Sequence, residues 1–487
     1  MTKIGVDVGG TFTDLILESD KVACAAGGVV VHKVPSTPED QSVGVIRGIR
    51  EICDIAGVAP SDVEKVVHGT TVATNAVIEY DGAEVGMLTT RGFRDILLLA
   101  RGKRPHNFSM QFDVPWQSKP LVKRRNRIPI TERIMPPDGS VEVAMDENQV
   151  RAAAELFKER GVDAVIICFI FSFLNNVHEQ RAKEIVEEIL PDTYVSCSSE
   201  VADVIREYER FSTAAMNAFI GPRTSYYLGN LKNSLRAEGV TAEIRVMQSN
   251  GGVTTIEGGS ERPVTILMSG PAGGVIGGKW AGDLSAVENL ITVDIGGTSA
   301  DISVVPGGSV RIMNPRDTNV GGYPILTPMI DLTTIGAGGG SVAYVDEGGA
   351  FHVGPRSAGA NPGPACYGKG GLEPTVTDAQ VVLGRLDAEK FLGGGVAIDP
   401  KLSIKAIEDN LCEKLRLSVE DAALGIIRVV NSNMALEIRA NSVAKGIDPR
   451  DYSLVAFGGA GPLHGVELAK TVVARDVIVP PAPGINA

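Results

Sequence analysis

The sequence predicts an α/β protein made of two related lobes. Three observations carry that prediction: an octapeptide that occurs twice, short apolar runs on both sides of each copy, and alternating strand-like and helix-like patterns in between. The first copy is Asp7-Val8-Gly9-Gly10-Thr11-Phe12-Thr13-Asp14, and the second is Asp294-Ile295-Gly296-Gly297-Thr298-Ser299-Ala300-Asp301. Both fit D-x-G-G-T-x-x-D, and Asp7 and Asp294 are 287 positions apart. Ile4-Gly5-Val6 and Leu15-Ile16-Leu17 flank the first copy; Leu290-Ile291-Thr292-Val293 and Ile302-Ser303-Val304-Val305 flank the second. Each copy therefore reads as strand, tight turn, strand. One Gly-Gly turn is ordinary in a hairpin, but two in the same setting read as equivalent hairpins of two related lobes.

Such turns have a particular chemistry. Adjacent glycines lack the Cβ atoms that would keep an anion from the backbone N–H groups, and an aspartate at a strand end can hold the water shell of a cation. Each turn is thus half of a nucleotide-phosphate site. Asp7 and Asp294 are expected to face each other across a cleft and hold Mg²⁺. Gly9, Gly10, Thr11, Thr13, Gly296, Gly297 and Thr298 are the expected phosphate contacts.

The chain between the copies alternates. Val29 to Val34 predicts a third strand, and Pro38 to Ala56 a helix. Val63 to Val67 leads into His68-Gly69-Thr70-Thr71, ahead of a helix over Val72 to Glu79. A threonine N-cap there gathers N–H groups and hydroxyls at one point, either as a plain capped helix or as a loop facing substrate or phosphate. Residues 101 to 145, rich in proline, predict an extended insertion. Asp146 and Gln149 make a capping-box pattern before Val150, Ala153, Ala154 and Phe157 at helical spacing, and Gly161 closes that helix. Ala164 to Phe171 has the continuous apolar character of a strand covered on both faces. A helix from Val177 and a strand from Thr193 complete the first lobe, placed at residues 1–195.

The second lobe is placed at residues 196–487. It opens with helices around Phe211 to Phe219 and Thr224 to Ala237, then a strand over Glu243 to Met247 that runs into Ser249-Asn250-Gly251-Gly252. Pro271 suits the first turn of a helix containing Gly273, Gly274, Gly277 and Gly278. Each glycine costs such a helix roughly 1 kcal/mol relative to alanine, so a closely packed neighbour, most simply another backbone, must offset it. A crossing with the helix after Pro462 would make that contact a hinge between the lobes. Downstream, Gly336-Ala337-Gly338-Gly339-Gly340 and Val353 to Cys366 are glycine-rich loops. Cys366 has no histidine in a partner motif and reads as a structural thiol. Ser453 to Phe457 predicts a buried strand that enters Gly458-Gly459-Ala460-Gly461-Pro462 and a closing helix. A glycine turn of this kind admits a base or ribose against backbone, so Gly458, Gly459 and Gly461 are the expected adenosine contacts. No role is assigned to His464.

Composition narrows the function. With 487 residues, 44% hydrophobic and 22% charged, the chain has ample length for several cores. A formal net charge of -13 leaves no basic excess for a nucleic-acid partner. The most apolar run, Ala164 to Leu174, is too short to span a bilayer, and no secretory pattern precedes the first strand, so a cytoplasmic protein without a membrane partner is expected. The six cysteines show no C-x-x-C spacing. A His/Cys metal centre is therefore not expected, whereas nucleotide-borne magnesium needs only carboxylates and phosphates.

The order of these parts resembles the phosphate, connector and adenosine segments of the actin, sugar kinase and heat-shock ATPase superfamily, which implies two ribonuclease H-like lobes around a nucleotide cleft (actin-like ATPase fold). Within it, His68 to Ala76, Ser249 to Gly252, Ser269 to Gly274 and Phe457 to His464 resemble the hydantoinase/oxoprolinase family, A-type subunit. The resemblance runs from residue 4 to about residue 484. It implies ATP- and Mg²⁺-dependent phosphorylation and ring opening of a cyclic amide such as a hydantoin or 5-oxoproline, in a hetero-oligomer with a B-type hydrolase subunit. Members usually carry a further C-terminal domain after a Pro-Pro-x-Pro-Gly segment, here Pro480 to Gly484. The resemblance thus implies either a separate polypeptide for that domain or a truncated or split product. Relatives that activate acetone- or acetophenone-like ketones for carboxylation supply an alternative. A non-enzymatic nucleotide-driven switch is the alternative of another class, because fold analogy alone does not separate these.

Overall fold

The computed structural model describes residues 1–9, 12–22, 28–37, 40–102, 113–315, 317–389 and 398–485. The chain starts with β1 (Thr2–Val8), β2 (Phe12–Ser19) and β3 (Val29–Pro35), an antiparallel meander, and crosses through α1 (Gln41–Ala56) to β4 (Val63–Thr70), which lies parallel to β1. Helix α1 begins one turn later than Pro38 because the Asp40 side chain caps it, accepting from the Ser42 N–H; Gly57, at φ +65°, ends it. Val45, Ile49, Ile52 and Cys53 form its buried face, each aliphatic side chain contributing about 1.5–3 kcal/mol. A short helix, α2 (Val72–Ile78), follows β4 directly.

The next segment builds its own four-stranded parallel sheet from β5 (Val85–Thr90), β6 (Arg127–Ile130), β9 (Ala164–Cys168) and β10 (Tyr194–Cys197), in the order β10-β9-β5-β6. A hairpin of β7 (Arg133–Met135) and β8 (Ser140–Val143) projects from it. Helices α3 (Glu147–Glu159) and α4 (Val177–Ile189) cover one face with Val150, Ala153, Ala154, Phe157, Ala182 and Ile185. The region expected as an extended insertion therefore contributes an edge strand. The capping box is altered too: Asp146 caps α3 as expected, but Gln149 Nε2 donates to the Asp146 carboxylate, not through a return bond to its N–H.

Helix α5 (Glu207–Ala237) then runs unbroken where the sequence pattern predicts two helices. Pro222 removes one N–H, at a typical cost of about 3 kcal/mol. The helix survives because it crosses the core: Phe211, Met216, Ile220, Leu228, Leu231 and Leu235 are fully enclosed, and Gly221 lets the Tyr194 ring approach. Strands β11 (Glu243–Met247) and β12 (Val253–Thr255) return to the first sheet, whose full order is β12-β11-β4-β1-β2-β3. The boundary expected between 195 and 196 consequently falls inside the first lobe. A long crossover helix separates β10 from β11, and nothing in the local pattern reveals that it leads back to the opening sheet.

The second lobe follows helix α6 (Ser269–Leu284). Strands β13 (Leu290–Ile295) and β14 (Ala300–Val305) form its hairpin. After a two-stranded clip, β15 (Asn319–Val320) with β16 (Tyr323–Pro324), comes β17 (Leu332–Ile335), and then the hairpin β18 (Ser341–Val345) with β19 (Phe351–Ser357). Helix α7 (Val419–Asn441) packs beneath β14, and β20 (Ser453–Phe457) runs parallel to β13, followed by α8 (Gly461–Val472) and β21 (Val477–Ile478). This sheet is ordered β17-β14-β13-β20-β21. Reading β3-β2-β1-β4-β11 against β17-β14-β13-β20-β21 gives the same order and the same strand directions, so the lobes repeat one topology.

Candidate functional site

The two hairpins correspond in register and turn bonding. Asp7 pairs with Asp14 across β1 and β2, and Asp294 with Asp301 across β13 and β14. Gly9 N–H donates to Phe12 O at 3.0 Å, and Gly296 N–H to Ser299 O at 2.9 Å, closing equivalent turns. In each lobe a glycine from the neighbouring parallel strand or the turn after it abuts the first aspartate. A Cβ on Gly69 would lie 2.8 Å from Asp7 Oδ1, and one on Gly458 would overlap Asp294 Oδ1 and the Ile295 backbone. At φ +82°, Gly458 also has backbone angles that suit glycine alone.

Helix α6 joins the two halves. A Cβ on Gly270 would stand 3.3 Å from Asp7 Oδ1, and one on Gly274, a turn later, 3.1 Å from Asp294 Oδ2. Both carboxylates therefore lie along one face of one helix. The start of α6 is tied to the first lobe, Ser269 Oγ donating to Thr70 O at 3.0 Å and Met268 N–H to Thr74 Oγ1 at 2.9 Å. Its glycines do not meet another backbone in a crossing with α8. They lie on the sheet, where Gly278 faces Thr292 and Phe457 and Gly282 faces Leu290. Gly274, Gly278 and Gly282 are explained by side chains rising from β13 and β20, a neighbour that helical spacing cannot disclose.

Charge marks this junction. Burial, reinforced by Asp14, pushes the Asp7 carboxyl from 3.8 up to about 7, with Lys33 pulling the other way. Burial and the nearby Asp301 and Asp7 push Asp294 well above the ordinary carboxylate range, and burial raises Asp301 to about 6. Asp7 Oδ1 is enclosed and has no hydrogen-bond partner. The Asp7 and Asp294 carboxylates beside α6, the first with a bare oxygen, suit a divalent cation or its water. Among the described residues no three His, Cys, Asp or Glu side chains are grouped to hold a metal by themselves, so phosphate and water would complete the coordination.

The remaining expected residues are placed as follows. Gly297 and Thr298 are exposed at the second turn, beside half-buried Gly296. Gly10 and Thr11 lie outside the described residues. Alternation along β2 buries the Thr13 side chain, whose Oγ1 meets Ser36 Oγ at 3.0 Å; Ser36 Oγ in turn donates to Gly9 O at 2.8 Å, so the Thr13 hydroxyl lies behind the first turn. Gly459 borders open space, whereas Gly461 is buried against Ala456. His68, on β4, is buried against α5, bonded to Tyr227 OH at 2.8 Å and held neutral, its pKa lowered by burial to about 4. His464 is likewise buried, between Asn431 and Gln380, and also lowered to about 4. Cys366 is enclosed, and burial raises its thiol pKa.

Sequence reasoning missed three sets of contributors. Asp14 and Asp301 belong to the repeated pattern, but the pattern alone assigns them no task. Lys33 comes opposite Asp14 only once the β2–β3 register is known, its Nζ 2.5 Å from Asp14 Oδ1. Gly338, Gly339 and Gly340 brace the second turn: Gly339 N–H donates to Gly296 O at 3.0 Å and Gly340 N–H to Gly297 O at 2.6 Å. Their spacing signals a loop, not what it would touch.

Two lobes of repeated topology, each delivering an Asp-x-Gly-Gly turn to a shared helix, define the actin-like ATPase fold with ribonuclease H-like lobes. The hydantoinase/oxoprolinase family model matches residues 210–487 and the model of its N-terminal region matches residues 3–190, so the chain belongs to the hydantoinase/oxoprolinase family. The caprolactamase subunit alpha of Pseudomonas jessenii is 41% identical over 98% of this chain and 68% of its own length. The crystal structure of the ATP-dependent caprolactamase from that organism is 40% identical, with a TM-score of 0.83 over 99% of this chain and 70% of its own. A nucleotide-free acetone carboxylase structure is 28% identical, with a TM-score of 0.87 over 100% of this chain and 69% of its own. No helix among the described residues is long and apolar enough to cross a membrane.

Proposed function

We propose that this chain is the nucleotide-binding subunit of an enzyme that uses ATP to phosphorylate the carbonyl oxygen of a cyclic amide, such as a hydantoin or 5-oxoproline, ahead of ring opening. The carrying observation is the pair of equivalent aspartates on one face of α6, with Asp7 Oδ1 unpartnered. That bare oxygen and the glycine-lined surroundings fit magnesium, which Asp7 and Asp294 would hold; when bound, it would neutralise charge on the phosphates. N–H groups of Gly9, Gly10, Gly296 and Gly297, with Thr11 and Thr298, would cradle the phosphates, and the Gly458-Gly459-Ala460-Gly461 turn would face adenosine. Gly270 and Gly274 keep α6 close enough to fix both carboxylates.

The chemistry suits such a site. The amide oxygen attacks the terminal phosphorus, and ADP leaves with the bridging oxygen. The ring carbon is then imidate-like and open to water; the tetrahedral adduct opens by breaking its C–N bond, the ring nitrogen leaving as the protonated amine, and hydrolysis of the remaining acyl phosphate gives the carboxylate and free phosphate. Catalysis of the first step is positioning and charge neutralisation, the task of rigid turns and fixed carboxylates. A B-type hydrolase partner would perform the second. The caprolactamase relative supports the cyclic amide reading.

The acetone carboxylase likeness supports a second reading, in which the same transfer converts a ketone into an enol phosphate for carboxylation. ADP release measured with a cyclic amide, with a ketone and with neither, in the presence of the partner subunit, decides among them. Stimulation by the amide alone is expected. Stimulation by the ketone alone selects the second reading, and release indifferent to both selects a nucleotide-driven switch.

A further inference from the structure

The hairpins are duplicated, but their surroundings are not. On the strand beyond each hairpin, the residue opposite the second aspartate is Lys33 in the first lobe and Thr334 in the second. Thr334 Oγ1 bonds Asp301 and goes no further. Lys33 has two partners. Its Nζ lies 2.5 Å from Asp14 Oδ1 and donates to Gly484 O at 3.2 Å, while standing 5.4 Å from the centre of the Phe12 ring.

Gly484 belongs to a short 3₁₀ turn, Pro483–Ile485, which crosses from the second lobe to the first and touches β2, β20 and α8. One residue back, Pro483 O accepts the Gly458 N–H at 2.8 Å. Gly458 is the residue whose missing Cβ makes room for Asp294. A continuous path therefore joins the hairpins without passing through α6: Asp14, Lys33, Gly484, Pro483, Gly458, Asp294. Its second-lobe end is a backbone bond inside a packed turn. Its first-lobe end is a single ammonium on a flexible stem that is about one-quarter exposed, so that end gives way first when the hairpins separate.

We propose that Lys33 is a positioning residue that latches the two lobes together across the cleft through the Pro483–Gly484 strap, and so slows the escape of bound nucleotide. The nucleotide part rests on the function proposed above; the latch itself rests on the contacts alone. In the latched state the Gly458 amide is protected by Pro483 O, and the strap closes the rim between the two turns. Freed from Gly484, the strap lifts and that amide is released.

Amide hydrogen exchange in the full chain reads this directly. In Lys33→Met the peptide containing Gly458 is expected to exchange at least about threefold faster than in the native protein, with protection of the β13–β14 ladder retained. Dissociation of a fluorescent ADP analogue is expected to accelerate by a similar factor or more, and Lys33→Arg is expected to restore part of both. If Lys33→Met does not fold, Lys33→Gln, too short to span both partners, is measured the same way. Unchanged Gly458 exchange in a folded variant overturns the latch and leaves Lys33 as a counter-charge for Asp14. Failure of the native protein to bind the ADP analogue refutes the nucleotide reading instead, while Gly458 exchange still decides the latch.

Discussion

Gly274→Ala separates a glycine kept for helix packing from one kept for the site. On helix propensity alone, alanine is better by about 1 kcal/mol, and the variant should be more stable. The added methyl, however, stands 3.1 Å from Asp294 Oδ2 and 3.3 Å from the edge of the Phe457 ring. Both gaps are a few tenths of an ångström too tight. Phe457 is enclosed at 1% exposure and cannot yield, so the Asp294 carboxylate must turn away. Crowding of this kind costs about 1–3 kcal/mol, leaving net stability within roughly 2 kcal/mol of native. The functional loss is larger in proportion, because a displaced carboxylate no longer faces Asp7. A tenfold fall in kcat/KM needs only about 1.4 kcal/mol of lost transition-state stabilisation, and at least that loss is expected. Substrate-stimulated ADP release and thermal melting, measured on one preparation, check both halves. A variant with raised Tm and native turnover would refute the reasoning and make Gly274 a plain packing residue.

Other perturbations probe the same junction. Asp294→Asn should abolish ATP turnover yet raise the Tm of the metal-free protein, since it removes one of several mutually repelling carboxylates; preserved turnover would remove Asp294 from the site. Asp7 and Asp301 have folded pKa values of about 7 and 6, above the ordinary 3.8. Their contribution to stability is therefore present in full below about pH 4 and is lost as pH rises to about 7. Magnesium with ADP should cancel that loss, giving a larger ligand-induced rise in Tm at pH 7.5 than at pH 5; an equal rise at both would place the ligand elsewhere. In Gly338→Ala the new Cβ would sit 2.7 Å from the Gly297 and Thr298 backbone. Backbone cannot yield as a side chain does, so the second turn should deform, with ADP affinity by calorimetry falling at least about tenfold and Tm falling as well.

Much of the site is legible in the sequence because its determinants are local. Two glycines after an aspartate force a tight turn, apolar runs on either side make it a hairpin, and a repeat of both implies a repeated lobe. The fold adds register, which pairs Asp7 with Asp14 and Asp294 with Asp301. What the sequence hides depends on long-range pairing. Lys33 is one lysine among many until β3 is set beside β2, and only the same pairing brings Ser36 between Thr13 and the Gly9 turn. The glycines of α6 declare a close neighbour without naming it, and the neighbour proves to be Asp294, Thr292 and Phe457 on the adjoining sheet. The lobe boundary is misplaced for a similar reason. Helix α5 carries the chain across the core to β11, and only strand pairing shows that the first sheet is still being completed.

The central claim is that Asp7 and Asp294 hold one metal ion over the phosphates of one nucleotide. Crystals grown with ADP and Mn²⁺ in place of Mg²⁺, measured for anomalous scattering, test it without reference to the substrate. The account predicts a single strong peak between the hairpins, within roughly 4–5 Å of both carboxylates, the reach of one coordinated water, with the ADP phosphates against Gly296 and Gly297. A peak held by only one lobe, or ADP phosphates elsewhere in the molecule, would contradict it.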